Sequence, residues 1–320
     1  MIPPFSITAS ILEEISRVER LLGQVEGLQH PKPQPLLRKS NKVRTIQGSL
    51  AIEGNTLGLD QVTALLEGKK VLGPKDEIQE VLNAIQVYEQ IHSFKPRSLK
   101  DLLKAHRLMM KSLLPTAGKW RGSDVGILKG TAVAHVAPPA SRVPELMQAV
   151  FDFLKSKDTH PLIQSCVFHY ELEFIHPFAD GNGRMGRFWQ SRLLLNYHPV
   201  FEFIPVESLT KEHQDDYYRA LETSDQSGQS TAFVEFSLSM IRQALVDFID
   251  ALKPKPLSAS ERLEITRQHF GNQQFSRKDY LSHFKTISSA TASRDLKLGV
   301  DKDWLIKQGE RANTLYHWRQ

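Results

Sequence analysis

The chain has 320 residues, a net charge of +5, and 40% hydrophobic and 24% charged residues, an ordinary globular composition with room for two domains. Its single cysteine, Cys166, excludes an intramolecular disulfide framework and, in the apolar run Leu162–Phe168, reads as a buried core thiol. No run approaches the roughly 18 apolar residues of a membrane helix, and Met1–Phe5 has no basic stretch leading an apolar one; a cytoplasmic protein with no membrane partner is expected.

Along the chain the apolar pattern is mainly helical. Ile11, Leu12, Ile15, Val18, Leu21 and Leu22 recur at helical spacing, and the proline-rich His30–Pro35 then breaks the run. A second helix is expected from Leu36 to Ile52, stopped by Glu53-Gly54-Asn55. Further helices are read at 60–67, 76–92, 98–112, 143–156, 160–174, 184–196, 210–224 and 230–252. Between Gly118 and Pro139, two alternating stretches flank Lys129-Gly130-Thr131 and predict a β-hairpin. Lys253-Pro254-Lys255-Pro256 reads as an extended linker. Beyond it, helices at 259–269, 276–283 and 288–299 and a strand pair at 304–306 and 314–318 predict a small module.

The segment His176-Pro177-Phe178-Ala179-Asp180-Gly181-Asn182-Gly183-Arg184-Met185-Gly186-Arg187 carries the chemistry. The proline ends the preceding helix, and two glycines in four residues let backbone N–H groups turn toward an anion. The next helix adds its N-terminal N–H groups and positive dipole. Arg184 and Arg187, three residues apart on its first turn, are unfavourable beside that dipole unless an anion is present. Asp180 suits Mg²⁺, a hard cation that takes carboxylate and phosphate oxygens. Asn182 and the glycine N–H groups suit phosphoryl oxygens, the arginines suit terminal phosphates, and His176, with its near-neutral pKa range, suits deprotonation of a hydroxyl.

Those twelve residues resemble the signature of the Fic family, His-Pro-Phe-x-[Asp/Glu]-Gly-Asn-Gly-Arg-x-x-Arg, with every fixed position present. The resemblance spans roughly 36–252. It implies a helical Fic fold and a protein adenylyltransferase that moves AMP from Mg·ATP to a Ser, Thr or Tyr hydroxyl of a protein, itself included. By position, His176 becomes the general base and Asp180 the Mg²⁺ ligand. Gly181, Asn182, Gly183, Arg184, Met185, Gly186 and Arg187 become the ATP phosphate site.

Ser49-Leu50-Ala51-Ile52-Glu53-Gly54 is similar to a second family pattern, [Ser/Thr]-x-x-x-Glu-[Gly/Asn]. It implies an inhibitory helix within 36–54 whose Glu53 pairs with Arg187 and blocks the ATP γ-phosphate, since carboxylate and phosphate compete for one guanidinium fork. In some relatives the same glutamate positions a water for removal of AMP, so the direction of reaction stays open, as do UMP or phosphocholine as donors. The hairpin matches the family's flap, implying that Ile127, Thr131, Val133 and His135 bind a target strand by edge pairing. Tyr217 and Tyr218 resemble a tyrosine pair beside the adenine; Asp225 stands where some relatives carry Asn.

The organisation expected is therefore an N-terminal helical extension at 1–35, a Fic domain with a β-hairpin flap at 36–252, and a linker with a winged helix-turn-helix module at 253–320. In that module Ser288–Leu296 would be the recognition helix, with Arg277, Lys278 and Arg294 nearby. DNA and a protein target are both left open as its partner, as is a second copy of the chain as a homodimer partner. A DNA-binding regulator that senses nucleotide through its Fic domain stands as the alternative function.

Overall fold

Helix α1 (Ala9–Glu26) starts where the Thr8 hydroxyl accepts from the Ile11 N–H at 3.2 Å, and it buries Ile11, Val18, Leu22 and Val25. This computed structural model of the chain describes residues 3–27, 35–129, 132–252, 257–310 and 313–319; the proline-rich break before residue 35, the linker at 253–256 and Thr131 lie outside the described residues. The chain divides into two units, Met1–Leu252 and Lys253–Gln320.

In the first unit α2 (Pro35–Ile52), α3 (Leu59–Leu66), α4 (Lys75–Glu89) and α5 (Leu99–Met109) follow. The helix expected over 98–112 stops at Met109, and Ser112 sits at a φ of 63°, off the helical path. Strands β1 (Gly126–Lys129) and β2 (Ala132–Val136) form the expected hairpin, antiparallel, with Gly126 opposite Val136 and a bulge between Ile127 and Leu128. The side chains at 127–136, those of Ile127, Val133 and His135 among them, lie outside the described residues. Helices α6 (Val143–Phe153), α7 (Pro161–Ile175) and α8 (Asn182–Tyr197) come next.

Helices α7 and α8 pack on each other at the heart of this unit and are buried on nearly every side, as a helix enclosed by others must be. Phe168 meets Phe151 edge-on at 5.6 Å, and Trp189 and Phe188 extend the same aromatic layer toward Phe94. Cys166 is buried there, its thiol pushed up to about 11 by burial.

One helix expected over 210–224 is two. Helix α9 (Val206–Glu212) ends at His213, whose ψ of 36° leaves the helical path, and α10 (Gln214–Ser227) restarts at once. The first turn of α9 lies against α2 so closely that a Cβ on Gly48 would sit 2.9 Å from the Ser208 backbone. Helix α11 (Thr231–Leu252) closes the unit against α1, with the Ser230 N–H bonded to the Pro4 carbonyl at 2.9 Å.

The second unit contains α12 (Ala259–Phe270), β3 (Phe275–Ser276), α13 (Arg277–His283), α14 (Ser289–Asp301), β4 (Leu305–Gln308) and β5 (Leu315–Trp318). Strand β3 was not expected: two residues carry no periodicity, and its register comes from β5. The sheet order is β3-β5-β4, over a core of Leu263, Phe275, Tyr280, Leu296, Leu305 and Trp318. Within it Arg262 forks onto Asp295 at 2.7 and 2.9 Å, and the Tyr280 hydroxyl donates to the same carboxylate at 3.0 Å.

Gly48→Ala should separate α2 from α9. Backbone cannot rotate away as a side chain can, so a loss of about 1–3 kcal/mol is expected. Denaturant unfolding of the whole chain measures it; an unchanged midpoint contradicts the close approach.

Candidate functional site

The site is built on the α7–α8 turn. His176 caps α7 at a φ of 51° and ψ of 57°, a left-handed conformation that a residue other than glycine adopts only when its surroundings enforce it. Arg121 does much of the enforcing. Only 4% exposed, its guanidinium donates to the carbonyls of His176 (2.8 Å), Ser123 (2.7 Å), Ile175 (3.3 Å) and Pro138, and its own N–H reaches Pro177 O at 2.9 Å. The start of the motif and the chain leaving β2 are thus fastened at one point.

Asn182 holds the loop from inside. Its Oδ1 accepts from the Phe178 N–H and its Nδ2 donates to the Phe178 carbonyl, both at 2.9 Å. This side chain, expected to face phosphoryl oxygens, is turned into the loop it shapes. Gly181 is the N-cap of α8 at a φ of 85°, so α8 begins at Asn182, two residues earlier than periodicity suggests. Met185 is buried and faces the core. Gly186 has no room for a Cβ because His169 lies 2.7 Å from where it would be.

His106 on α5 supports the same loop. Its ring stacks on Phe178 at 3.7 Å, its Nδ1 accepts from the Gly118 N–H at 2.8 Å, and its Nε2 lies 3.0 Å from the Asp180 carbonyl. A carbonyl only accepts and an amide N–H only donates, so the ring is the neutral Nε2–H tautomer. Burial holds its pKa down at about 4, against the backbone hydrogen bond to Asp180, which raises it.

The two arginines are the electrostatic centre. Arg187 is 2% exposed; its Nε donates to the Ser49 hydroxyl at 3.1 Å, and its Nη2 donates to the Ser49 carbonyl at 3.0 Å and to Glu53 Oε1 at 2.6 Å. Burial opposes the charge on Arg187, but Glu53, Tyr217 and Glu173 outweigh it and raise its pKa. Arg184 donates to Glu80 at 2.7 Å and to Asp180 at 2.9 Å. Glu80 in turn accepts from the Asn55 amide at 2.8 Å, which joins the loop after α2 to the motif. Arg184 Nε and Arg187 Nη1 are buried and have no hydrogen-bond partner among the described residues. Two guanidinium N–H groups without acceptors fit a polyphosphate, which would supply them.

The Glu53 carboxylate also lies on the first turn of α8: a Cβ on Gly183 would collide with its Oε1. The carboxylate therefore occupies the anion position that the glycines and the helix dipole create. Asp180 is largely exposed beside this position. No group of three or more His, Cys, Asp or Glu converges among the described residues. A lone accessible carboxylate beside a phosphate site is the donor set Mg²⁺ uses when it keeps its waters and takes its other ligands from phosphate. The residues fit a Mg·nucleotide.

The two tyrosines differ. Tyr217 is 2% exposed, its hydroxyl 3.1 Å from Glu173 and 3.3 Å from His169, its ring packed with Phe233 and Phe236. Tyr218 is 41% exposed, and its hydroxyl donates to the Ile52 carbonyl at 3.4 Å. Of the pair, Tyr218 alone presents a surface on which a base can stack. Asp225 accepts from the Tyr170 hydroxyl at 2.9 Å. Arg121, His106 and Glu80 carry no sequence signal that would have marked them: each stands in an ordinary helix or turn and acts through residues far away in the chain.

The model for the Fic/DOC family matches residues 96–194. A Fic family protein from Desulfovibrio desulfuricans G20 has a crystal structure similar to the whole chain, at 38% identity and a TM-score of 0.76, covering 100% of this chain and 98% of that one. The chain belongs to the Fic/DOC family. Among curated relatives, the protein adenylyltransferase Fic of Culex quinquefasciatus is 30% identical over 279 residues, 80% of this chain and 53% of that protein. The Aedes aegypti protein of the same name matches to the same extent. The chain thus spans about half the length of these relatives. No helix among the described residues is long and apolar enough to cross a membrane.

His106 gives a pH test. Its folded pKa of about 4 lies below the ordinary 6.5, so the unfolded chain binds the extra proton first. Its contribution is present above pH 6.5 and is lost as pH falls toward 4, by up to about 1.4 kcal/mol per pH unit. The stability difference between the wild type and His106→Gln should therefore shrink across that window. A difference independent of pH between 7 and 4 contradicts the neutral buried ring.

Proposed function

We propose that this chain is a protein adenylyltransferase that moves AMP from Mg·ATP to a protein Ser, Thr or Tyr hydroxyl, and that Glu53 restrains it. The observation that carries the proposal is the Glu53 carboxylate lying on the first turn of α8 and bonded to Arg187 at 2.6 Å. A site that holds an internal carboxylate on a buried arginine and a helix N-terminus is a site for an external phosphate.

The base is His176. Its Nδ1 lies 3.3 Å from the Glu173 carbonyl, which only accepts, so Nδ1 carries the proton and Nε2 keeps the lone pair a base needs. Nε2 takes the proton of the target hydroxyl, the hydroxyl oxygen bonds to the α-phosphorus, and the bond to the β-phosphate oxygen breaks, releasing pyrophosphate. Asp180 would hold Mg²⁺, which when bound would neutralise phosphate charge. Arg184 and Arg187 hold the terminal phosphates, and the N-terminal N–H groups of α8 stabilise charge on the phosphoryl oxygens from fixed positions. Tyr218 offers the adenine a face. In the two-stranded hairpin each strand has an outer edge, and such an edge would orient a target strand by backbone pairing.

In the second unit, the order α12-β3-α13-α14-β4-β5 with sheet order β3-β5-β4 supports a winged-helix reading. There α14 is the recognition helix and the β4–β5 turn the wing.

Glu53→Gly, given α-labelled ATP and Mg²⁺, should label itself or lysate proteins well above the wild type. Adding His176→Ala should remove about 10²–10⁴-fold of that label. Label that survives the histidine change sinks the base assignment; equal label with and without Glu53 sinks the restraint.

A further inference from the structure

The restraint depends on where α2 ends, and that end is held by a side-chain clamp. A helix leaves its last carbonyls without internal partners. Here the Gly54 N–H folds back to Ala51 O at 3.2 Å and the Asn55 N–H to Leu50 O at 3.2 Å, with Gly54 at a φ of 94°. The Ala51 and Ile52 carbonyls also accept from the α9–α10 corner. Lys211 Nζ donates to Ala51 O at 3.0 Å and to Gln214 Oε1 at 2.5 Å. Gln214 Nε2 donates to Ile52 O at 3.2 Å, and the Tyr218 hydroxyl reaches the same oxygen at 3.4 Å. Glu53 is the next residue.

We infer that Lys211 is a positioning residue for Glu53: an ammonium at the C-terminal end of α2, steadied by Gln214, that keeps the carboxylate on Arg187. The physical case has three parts. A cation at a helix C-terminus complements the dipole, and here it takes the second acceptor site of the Ala51 carbonyl. The contact joins residues 160 apart in sequence, so it reports the docking of α2 rather than local structure. No carboxylate pairs with Lys211 among the described residues; both of its bonds serve the α2 end. Lys211, the last basic residue of α9, and Gln214, the first residue of α10, stand three apart across the corner at His213, a spacing that sets side chains side by side.

The clamp also reaches the base side of the site. Tyr218 shares Ile52 O with Gln214, so a base stacking on Tyr218 would bear on the helix end that carries Glu53. Nucleotide binding and restraint are joined here through hydrogen bonds on the α2 terminus as well as through competition for Arg187.

This inference rests on the proposed transfer activity, and its test separates the two. Label from α-labelled ATP is measured for the wild type, Lys211→Met, Glu53→Gly and the double variant. Hydrogen exchange of the amides at 46–55 is followed alongside. Methionine keeps the stem and loses the donor. Lys211→Met should raise label several-fold over the wild type, and should add nothing when Glu53 is already gone. It should also speed exchange at 46–55 and leave the amides of α7 unchanged. Lowered label in both backgrounds, or unchanged label and exchange, overturns the clamp. If Glu53→Gly itself gives no label, the transfer reading fails, and exchange at 46–55 still decides whether Lys211 holds the helix end.

Discussion

A single buried cation organises the first unit. Arg187 lies 2% exposed at the start of α8, where the helix dipole already disfavours positive charge. A guanidinium in that position is tolerable only while carboxylate, hydroxyl, carbonyl or phosphate oxygens surround it. Ser49 and Glu53 supply those oxygens from α2, across 138 and 134 residues of chain. The end of α2, the first turn of α8 and the carboxylate in the anion position all meet at this one group. Removing Glu53 leaves a buried charge partly unmet, and that deficit is itself a driving force for binding a phosphate.

Arg184 repeats the pattern in milder form. Of its two acids Asp180 is largely exposed, while Glu80 is less exposed than Glu53 and is shared with Asn55 just past the α2 terminus. Both motif arginines therefore touch the region around Glu53, one directly and one through a neighbour. The support beneath them is rigid by contrast. Asn182 closes the loop on Phe178, His106 stacks under it, and Arg121 ties it to the chain leaving the hairpin. These parts shape the anion site; the acids that meet the arginines come from the residue after α2, from α4 and from the loop itself.

Some of this is legible in the sequence and some is not, for physical reasons. Helical spacing places α1 and gives α2 and α7 nearly to the residue, because each buries one continuous face or is buried throughout. The motif places His176, Gly181 and Arg187 on one turn because their neighbours are local in the chain. The split between α9 and α10 is invisible, since it is one backbone turn at His213 inside a segment whose composition still suits a helix. Strand β3 is too short for a period. The inward turn of Asn182 and the burial of Tyr217 are likewise unreadable: a polar amide and a tyrosine look the same in sequence whether they face a ligand or a core. Arg121, His106 and Lys211 act on carbonyl oxygens, which every residue carries and no motif marks.

Gly183 has a consequence for how such a protein can vary. The space above its Cα is filled by the Glu53 carboxylate, and in the proposed reaction the same space admits phosphate oxygens. Any side chain at 183 would evict both occupants together. Under the proposed restraint, variants that free the site are therefore expected away from Gly183, at Glu53 or at the residues that hold the end of α2, so control of the site would be spatially separate from its chemistry.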